Sequence, residues 1–264
     1  MFNSKHQYFP KIVKFTILLS LASTSLFSSL PSMALGLSTF RIHLDYEHRN
    51  SNFVIYSKDT YTQHCSLFLR HYEVKDDASL VALEDGVLPD NAADEFVKFS
   101  PKTFSLSPGQ AQSVKFQMRR KANVEPNEYR AHLSVDCSFD IEELKLNNEA
   151  QVSLAPRIRH NVPIIVRTGK LDATVNFTDF KFNGDIVEME IERQGNRSVY
   201  GNIDLVDSRS NKVIDKNQQF TMYPETQKRR IKMATKGIDP KYLMVRFIED
   251  MEFEGNIKIE QAVK

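Results

Sequence analysis

The sequence has no tryptophan, only two cysteines and hardly any excess of charge of either sign. Nucleic-acid-binding domains are usually clearly basic, so a formal net charge of +1 argues against a nucleic-acid partner. No GxSxG, HExxH, P-loop or GxGxxG motif is present. Composition and motifs together indicate a protein that is not an enzyme, with no catalytic residue and no cofactor.

The seven histidines are scattered and form no metal-binding pattern in the sequence. His43 and His71 lie in strand-like segments among charged residues, which is more typical of a surface or half-buried side chain than of a metal ligand. A metal-dependent enzyme built on a β-sandwich would need clustered histidines, and the spacing does not offer them. The sequence therefore predicts no metal site.

The N-terminal segment has the pattern of a secretory signal peptide. Residues 1–14 supply three lysines, and the stretch from Phe15 to Leu30 is apolar and uncharged. Small residues with the spacing of a cleavage site follow, and the last of them is Ala34. An uncleaved membrane anchor is the alternative, but the strongly apolar part is short for a spanning helix, which needs about 20 residues. We therefore expect residues 1–34 to be removed, and the mature chain to be exported without inserting into a membrane.

Export makes a disulfide permissible, and Cys65 and Cys137 are the only two cysteines. Neither belongs to a CxxC pair, and no histidine cluster accompanies them at zinc spacing. Each falls on the apolar phase of its own strand, so both side chains point inward. A structural disulfide is predicted; two free thiols are the alternative.

After residue 34 the chain is dominated by strand-length segments in which apolar residues alternate with polar ones, and no helical period of useful length appears. Two examples are QHCSLFLRHYEV (Gln63 to Val74) and EYRAHLSVDC (Glu128 to Cys137). About seven such strands precede Gly169, and the pattern then starts again. The fold class is therefore all-β, with one immunoglobulin-like sandwich in residues 35–168 and a second sandwich in residues 169–264.

One alternating stretch is too long for an ordinary strand of about five or six residues. In QVSLAPRIRHNVPIIV (Gln151 to Val166) every even position except His160 is apolar, and the odd positions include Arg157 and Arg159. The stretch is either an internal strand of the chain's own sheet or a strand that reaches beyond it.

The sequence resembles the periplasmic pilus-assembly chaperones of the chaperone–usher family over essentially the whole mature chain. Four segments carry the resemblance: STFRIHLD, FSPKTFSLSPGQAQSVKFQM, EYRAHLSV and the long strand that ends in VPIIVR. The resemblance implies two immunoglobulin-like domains in an angled, boomerang-like arrangement. It also implies a periplasmic protein without catalysis or cofactor, whose partners are pilin (fimbrial) subunits and an outer-membrane usher.

In this family the last strand of the first domain is donated to a subunit that lacks a strand, which is a form of β-augmentation. The resemblance places this donor row at Val152, Leu154, Pro156 and Ile158. Because proline has no N–H, Pro156 must occupy a position that donates no ladder bond.

The resemblance also implies basic residues that hold the subunit's terminal carboxylate. Arg41 matches the first by its place in STFRIHLD, whereas Pro163 stands where the family has a lysine. Arg157 and Arg159 are both close enough to substitute, and we expect Arg159 to serve as the second anchor; an ordinary solvated strand face is the alternative for both. Arg167 matches a family position that joins the two domains by a salt bridge, and Asp250 is its expected partner.

The alternative hypothesis is an exported structural or adhesive β-sandwich protein of a surface fibre, whose edge strand serves self-assembly. Such a subunit should have an incomplete sandwich or a short alternating extension after the signal peptide. Here the predicted mature chain starts almost directly with LGLSTFRIHLDY, and both sandwiches look complete.

Overall fold

The computed structural model of the chain describes residues 35–75, 77–139 and 157–263. The predicted signal peptide lies outside the described residues, as do Val152, Leu154 and Pro156 of the predicted donor row. Across the described ranges the chain is built of β-strands with two short 3-10 helices and no α-helix. A search of the same ranges finds no helix with the length and apolar character needed to cross a membrane.

Eleven strands form the first part of the described chain. Their alternating burial reflects the period-two pattern of the sequence: in AQSVKFQM, for example, Val114, Phe116 and Met118 are buried while their neighbours are not. The strands are β1 (Leu35–Leu37), β2 (Ile42–Leu44), β3 (Asn50–Ser57), β4 (Gln63–Arg70), β5 (Tyr72–Val74), β6 (Leu80–Ala82), β7 (Val97–Ser100), β8 (Thr103–Leu106), β9 (Ala111–Met118), β10 (Asn127–Phe139) and β11 (Arg157–Thr168).

Two sheets of these strands enclose the first hydrophobic core. One sheet has the order β1-β3-β9-β7 and the other β2-β11-β10-β4-β8, while β5 and β6 form a separate hairpin. Within the core, the rings of Phe53 and Phe116 meet edge to face at 6.5 Å between centroids. This is the layered arrangement of a sandwich, with one face of each sheet buried.

Seven further strands form a second pair of sheets, with the orders β12-β13-β16 and β15-β14-β17-β18. They enclose a separate core that includes Val187, Met189, Ile191 and Phe247. The strands are β12 (Ala173–Asn183), β13 (Ile186–Gly195), β14 (Val199–Asp207), β15 (Lys212–Met222), β16 (Lys228–Ala234), β17 (Leu243–Glu249) and β18 (Lys258–Ala262), and the 3-10 helices are Pro240–Tyr242 and Met251–Phe253. The predicted all-β fold of two sandwiches is confirmed.

The chain passes from the first pair of sheets to the second at Gly169. Its φ of +65° is one that residues with a side chain rarely adopt, and a Cβ there would lie 2.8 Å from Cγ of Pro126. Only glycine fits this turn between β11 and β12. The domain boundary between residues 168 and 169 stays a prediction, and this turn is compatible with it.

Cys65 and Cys137 form a disulfide, as the sequence predicts. They lie directly opposite each other on the neighbouring strands β4 and β10, with their Cα atoms 4.1 Å apart. Both side chains are buried in the first core. The bond therefore links two strands of one sheet and closes a chain segment with a sequence separation of 72.

Replacing both cysteines by alanine should lower the free energy of unfolding, because the unfolded chain would no longer be constrained by the closed loop. The chain-entropy relation gives about 4 kcal/mol for a loop of this length. Urea unfolding followed by far-UV circular dichroism measures the difference, since the chain has no tryptophan. Dithiothreitol should destabilise the oxidised wild type and leave the double variant unchanged; equal midpoints for all samples would contradict the prediction.

Candidate functional site

Strand β11 has an edge that is open along its first half. It pairs with β10 over its whole length, from Arg157 to Thr168. On its other side, the parallel partner β2 covers only Ile164–Val166. The segment 157–163 therefore presents backbone N–H and C=O groups with no partner strand among the described residues. Such an edge can pair with a strand of another chain.

The side chains along this open edge alternate between the two faces of the sheet. Ile158 and His160 are half-buried, and Ile158 packs against the first core. Arg157, Arg159 and Asn161 are exposed on the opposite face. Ile158, the one member of the predicted donor row that the structure describes, thus lies at the margin of the chain's own core.

Two of the exposed arginines are held by one buried carboxylate. Asp136 lies opposite Arg159 on β10, and its side chain is only 1% exposed. It accepts hydrogen bonds from Nε of Arg157 at 2.5 Å and from Nε of Arg159 at 2.7 Å. Burial alone would raise the pKa of Asp136, but these hydrogen bonds lower it below its ordinary value. The edge therefore carries two guanidinium groups in fixed positions with one compensating charge.

Arg41 and Arg159 have different partners in the structure, and their expected role as anchors of a subunit's terminal carboxylate stays a prediction. Arg41 precedes β2, which covers only the later half of β11, whereas Arg159 lies near the start of β11 and is bound to Asp136. Arg41 is 2% exposed, donates a hydrogen bond to Oγ of Ser198 at 3.1 Å and stacks 4.7 Å from the ring centre of Tyr200. Both contacts are with the second sandwich.

Glu128 is the centre of the polar contacts between the sandwiches, and it replaces Asp250 as the partner of Arg167. It lies opposite Arg167 on β10 and accepts a hydrogen bond from Nε at 3.1 Å. It also accepts hydrogen bonds from the backbone N–H and the hydroxyl of Ser198, both at 2.9 Å. The predicted Arg167–Asp250 bridge is therefore wrong: Asp250 instead accepts the backbone N–H of Glu252.

The second sandwich has a buried ion pair of its own beside the predicted acidic position. Arg197 donates to both carboxylate oxygens of Glu249, at 2.7 and 3.0 Å, and both side chains are at least 95% buried. The acidic residue that forms an ion pair at this place is therefore Glu249, one residue before the predicted Asp250. Arg197 and Ser198 lie between β13 and β14, where no period marks which way a side chain points, so the sequence did not reveal them. Glu249 does follow the buried phase of β17, which is a signal that could have found it.

Two histidines on the face that carries these polar contacts are kept neutral. Burial lowers the pKa of His132 to about 4, with Arg130 and Arg41 adding to the effect. Burial likewise lowers the pKa of His43 to about 3, and the positive charge of Arg167 adds to this effect. The ring of His132 also packs against Tyr72, with centroids 4.5 Å apart.

His43 is also part of a group that the sequence spacing does not reveal. One ligand atom from each of His43, Asp45 and Glu254 lies within 4.8 Å of the others. Burial raises the pKa of Glu254, and the neighbouring Asp45 carboxyl raises it further. Glu254 comes from the second sandwich, so the group exists only after folding.

Changing Glu128 to glutamine should destabilise the protein, because a neutral amide cannot balance the buried charge of Arg167. Removing one partner of a buried pair typically costs about 3 to 5 kcal/mol. Urea unfolding followed by circular dichroism measures the loss. Glu125→Gln makes the same change at an exposed position of the same region and should have an effect within about 0.5 kcal/mol; equal effects of the two variants would contradict the role of Glu128.

The lowered pKa of His132 should make the protein less stable in acid. Between pH 6.5 and about 4 the unfolded chain binds a proton at this imidazole and the folded chain does not, so the free energy of unfolding falls as pH falls. The loss from this group between pH 7 and 5 is about 2 kcal/mol. His132→Phe keeps a ring against Tyr72 and should flatten the pH dependence of urea midpoints; an unchanged slope would show that His132 is not responsible.

No family model matches the chain, and no curated protein matches it in sequence. Solved structures do match in fold. One is the CsuC–CsuE chaperone–tip adhesion subunit pre-assembly complex from archaic chaperone–usher Csu pili of Acinetobacter baumannii, with a TM-score of 0.50 and 9% identity over 86% of this chain and 97% of that chain. Another is the Salmonella enterica SafA pilin in complex with the SafB chaperone, with a TM-score of 0.48 and 12% identity over 87% and 96% of the two chains. At such identities the likeness concerns the fold alone, and the chain is similar in fold to the two-domain, immunoglobulin-like chaperones of chaperone–usher pili.

Proposed function

We propose that the chain is a periplasmic chaperone that binds pilin subunits and delivers them to an outer-membrane usher. Because one fold serves many functions, the fold likeness by itself does not assign this role. The observation that carries the proposal is the open edge of β11 at residues 157–163, which has backbone groups available for another strand.

The binding mechanism is β-augmentation of a subunit that lacks a strand. The subunit's edge pairs with the backbone of β11, and apolar side chains on one face fill the groove left by the missing strand. Val152, Leu154 and Pro156 would supply most of this row, and burying each large side chain contributes about 1.5 to 3 kcal/mol. Ile158 is the last member of the row and would lie between the subunit and the chaperone's own core.

The charged groups of the edge suit a partner that supplies carboxylates. Arg157 and Arg159 share the single charge of Asp136, so one positive charge remains in excess. For the subunit's terminal carboxylate we propose Arg41, which would exchange its neutral hydrogen bond with Ser198 for a charge-assisted one. Hydrogen bonds of that kind are roughly twice as strong as neutral ones.

A chaperone of this kind needs neither an active site nor a nucleotide, because the subunit's own unfinished fold supplies the binding energy. The disulfide between Cys65 and Cys137 supports the periplasmic assignment, since such bonds persist in oxidising compartments. The pairing of this chain with an usher follows from the proposed role.

Ile158→Asp should abolish capture of a pilin subunit, because the new carboxylate would lie in the apolar row at the open edge. The chain is co-expressed with a secreted pilin subunit of the same cell, and the one-to-one complex is recovered from the periplasm. Recovery should fall at least about tenfold, corresponding to 1.4 kcal/mol or more of binding energy. Ile186→Asp is the matched control, since Ile186 is 44% exposed on β13 of the second sandwich.

Both variants are checked for the Cys65–Cys137 disulfide and for a cooperative urea transition. If Ile158→Asp fails to fold, Ile158→Thr replaces it, because threonine is compatible with a strand and still removes apolar surface. Undiminished recovery with a folded Ile158 variant would refute the edge as the binding site. Fibres or large oligomers formed by the free chain through this edge would instead support a structural protein of a surface fibre.

A further inference from the structure

Two histidines and two carboxylates meet between the first and second sandwiches, away from the open edge of β11. His43 lies on β2, Asp45 and His48 lie in the turn that follows it, and Glu254 ends the 3-10 helix Met251–Phe253. One ligand atom from each of His43, Asp45 and Glu254 lies within 4.8 Å of the others. Nδ1 of His48 is 2.5 Å from Oε1 of Glu254.

The turn after β2 holds the Asp45 carboxylate in one orientation. Its Oδ1 accepts the backbone N–H groups of Glu47, at 2.7 Å, and of His48. This leaves Oδ2 facing the group, 3.8 Å from Nδ1 of His43. Asp45 is 8% exposed, and Oδ2 is buried with no hydrogen-bond partner among the described residues. A buried carboxylate oxygen without a donor is costly, so a cation at this point would be stabilising.

Glu254 is brought to the same point by the end of its helix. Its backbone is left-handed, with a φ of +57°, and its N–H is hydrogen-bonded to the carbonyl of Met251. Two carboxylates and two imidazoles therefore converge, and the neighbouring Arg167 is already bound to Glu128. Two carboxylates that converge in this way repel each other unless a proton or a cation lies between them.

We propose that His43, Asp45, His48 and Glu254 form a zinc-binding site that joins the two sandwiches. Two imidazole nitrogens and two carboxylate oxygens make a four-ligand set that suits Zn²⁺, with bonds of about 2.0 to 2.2 Å. Tetrahedral ligands are then about 3.3 Å apart. The ligand atoms of His43, Asp45 and Glu254, which lie within 4.8 Å of one another, therefore need to close by up to about 1.5 Å, whereas His48 Nδ1, at 2.5 Å from Glu254, needs to move slightly away. The all-oxygen shells that Ca²⁺ and Mg²⁺ prefer do not match this set.

The site is independent of the proposed function, because none of its four residues lies on the open edge of β11. Three ligands come from the first sandwich and one from the second, so a bound ion would tie the two together. An ion that binds the folded chain and not the unfolded chain raises the melting temperature by mass action.

The test titrates ZnCl₂ into the untagged mature chain after treatment with EDTA and dialysis, with isothermal calorimetry as the readout. We expect one ion per chain, and no binding of MgCl₂ under the same conditions. Glu254→Gln should weaken zinc binding at least about tenfold. Glu252→Gln removes the same charge from an exposed position on the same 3-10 helix and should leave the affinity unchanged.

Thermal unfolding gives a second readout. Zinc at about a hundredfold excess over its dissociation constant should raise the Tm of the wild type and of Glu252→Gln by about 5 °C, and that of Glu254→Gln by less. His48→Gln changes a side chain that is 64% exposed, so it should fold and also weaken binding. No stoichiometric binding, or equal affinity of wild type, Glu254→Gln and His48→Gln, would overturn the proposal.

Discussion

The antiparallel pairing of β10 with β11 is the interaction on which the other features depend. It sets Glu128 opposite Arg167 at one end and Asp136 opposite Arg159 at the other. The pairing of β10 with its other neighbour, β4, sets Cys137 opposite Cys65. A slip of one residue in a strand turns every side chain to the opposite face, so the register of β10 against β11 determines the two ion pairs and the buried row of β11, and its register against β4 determines the disulfide.

The open edge exists because β2 is much shorter than β11. Three residue pairs cover the later half of β11, and the earlier half extends past them with β10 as its partner strand in the described part of the chain. An exposed edge invites aggregation, and proteins commonly protect such edges with charge. Arg157 and Arg159 provide that charge here, and Asp136 keeps both guanidinium groups on the exposed face. The same arrangement protects the free edge and leaves its backbone available to the partner strand that we propose.

The contact between the two sandwiches is polar at its centre. Ser198 joins Glu128, Arg41 and Arg167 through its hydroxyl, amide and carbonyl groups, so one small residue of the second sandwich satisfies three charged residues of the first. Removing any one of these charges would leave another buried without its partner, which makes the group interdependent. His43, Asp45 and Glu254 form a second polar contact between the sandwiches. These three side chains are potential metal ligands, and none of them is a lysine or an arginine that could balance the two carboxylates.

The sequence by itself determined the strands, their buried faces and the disulfide. Alternation is a local property of the sequence, and it predicts that residues such as Val114, Phe116 and Met118 face inward. Because the chain has only two cysteines and both face inward, only one disulfide pairing was available. The tertiary structure alone decided which charges meet. Arg167 pairs with Glu128 and not Asp250, Arg159 is held by Asp136, and Glu254 reaches His43 across the sandwiches. These contacts depend on strand register and on the packing of distant segments, and charged side chains carry no periodic signal that reveals either one.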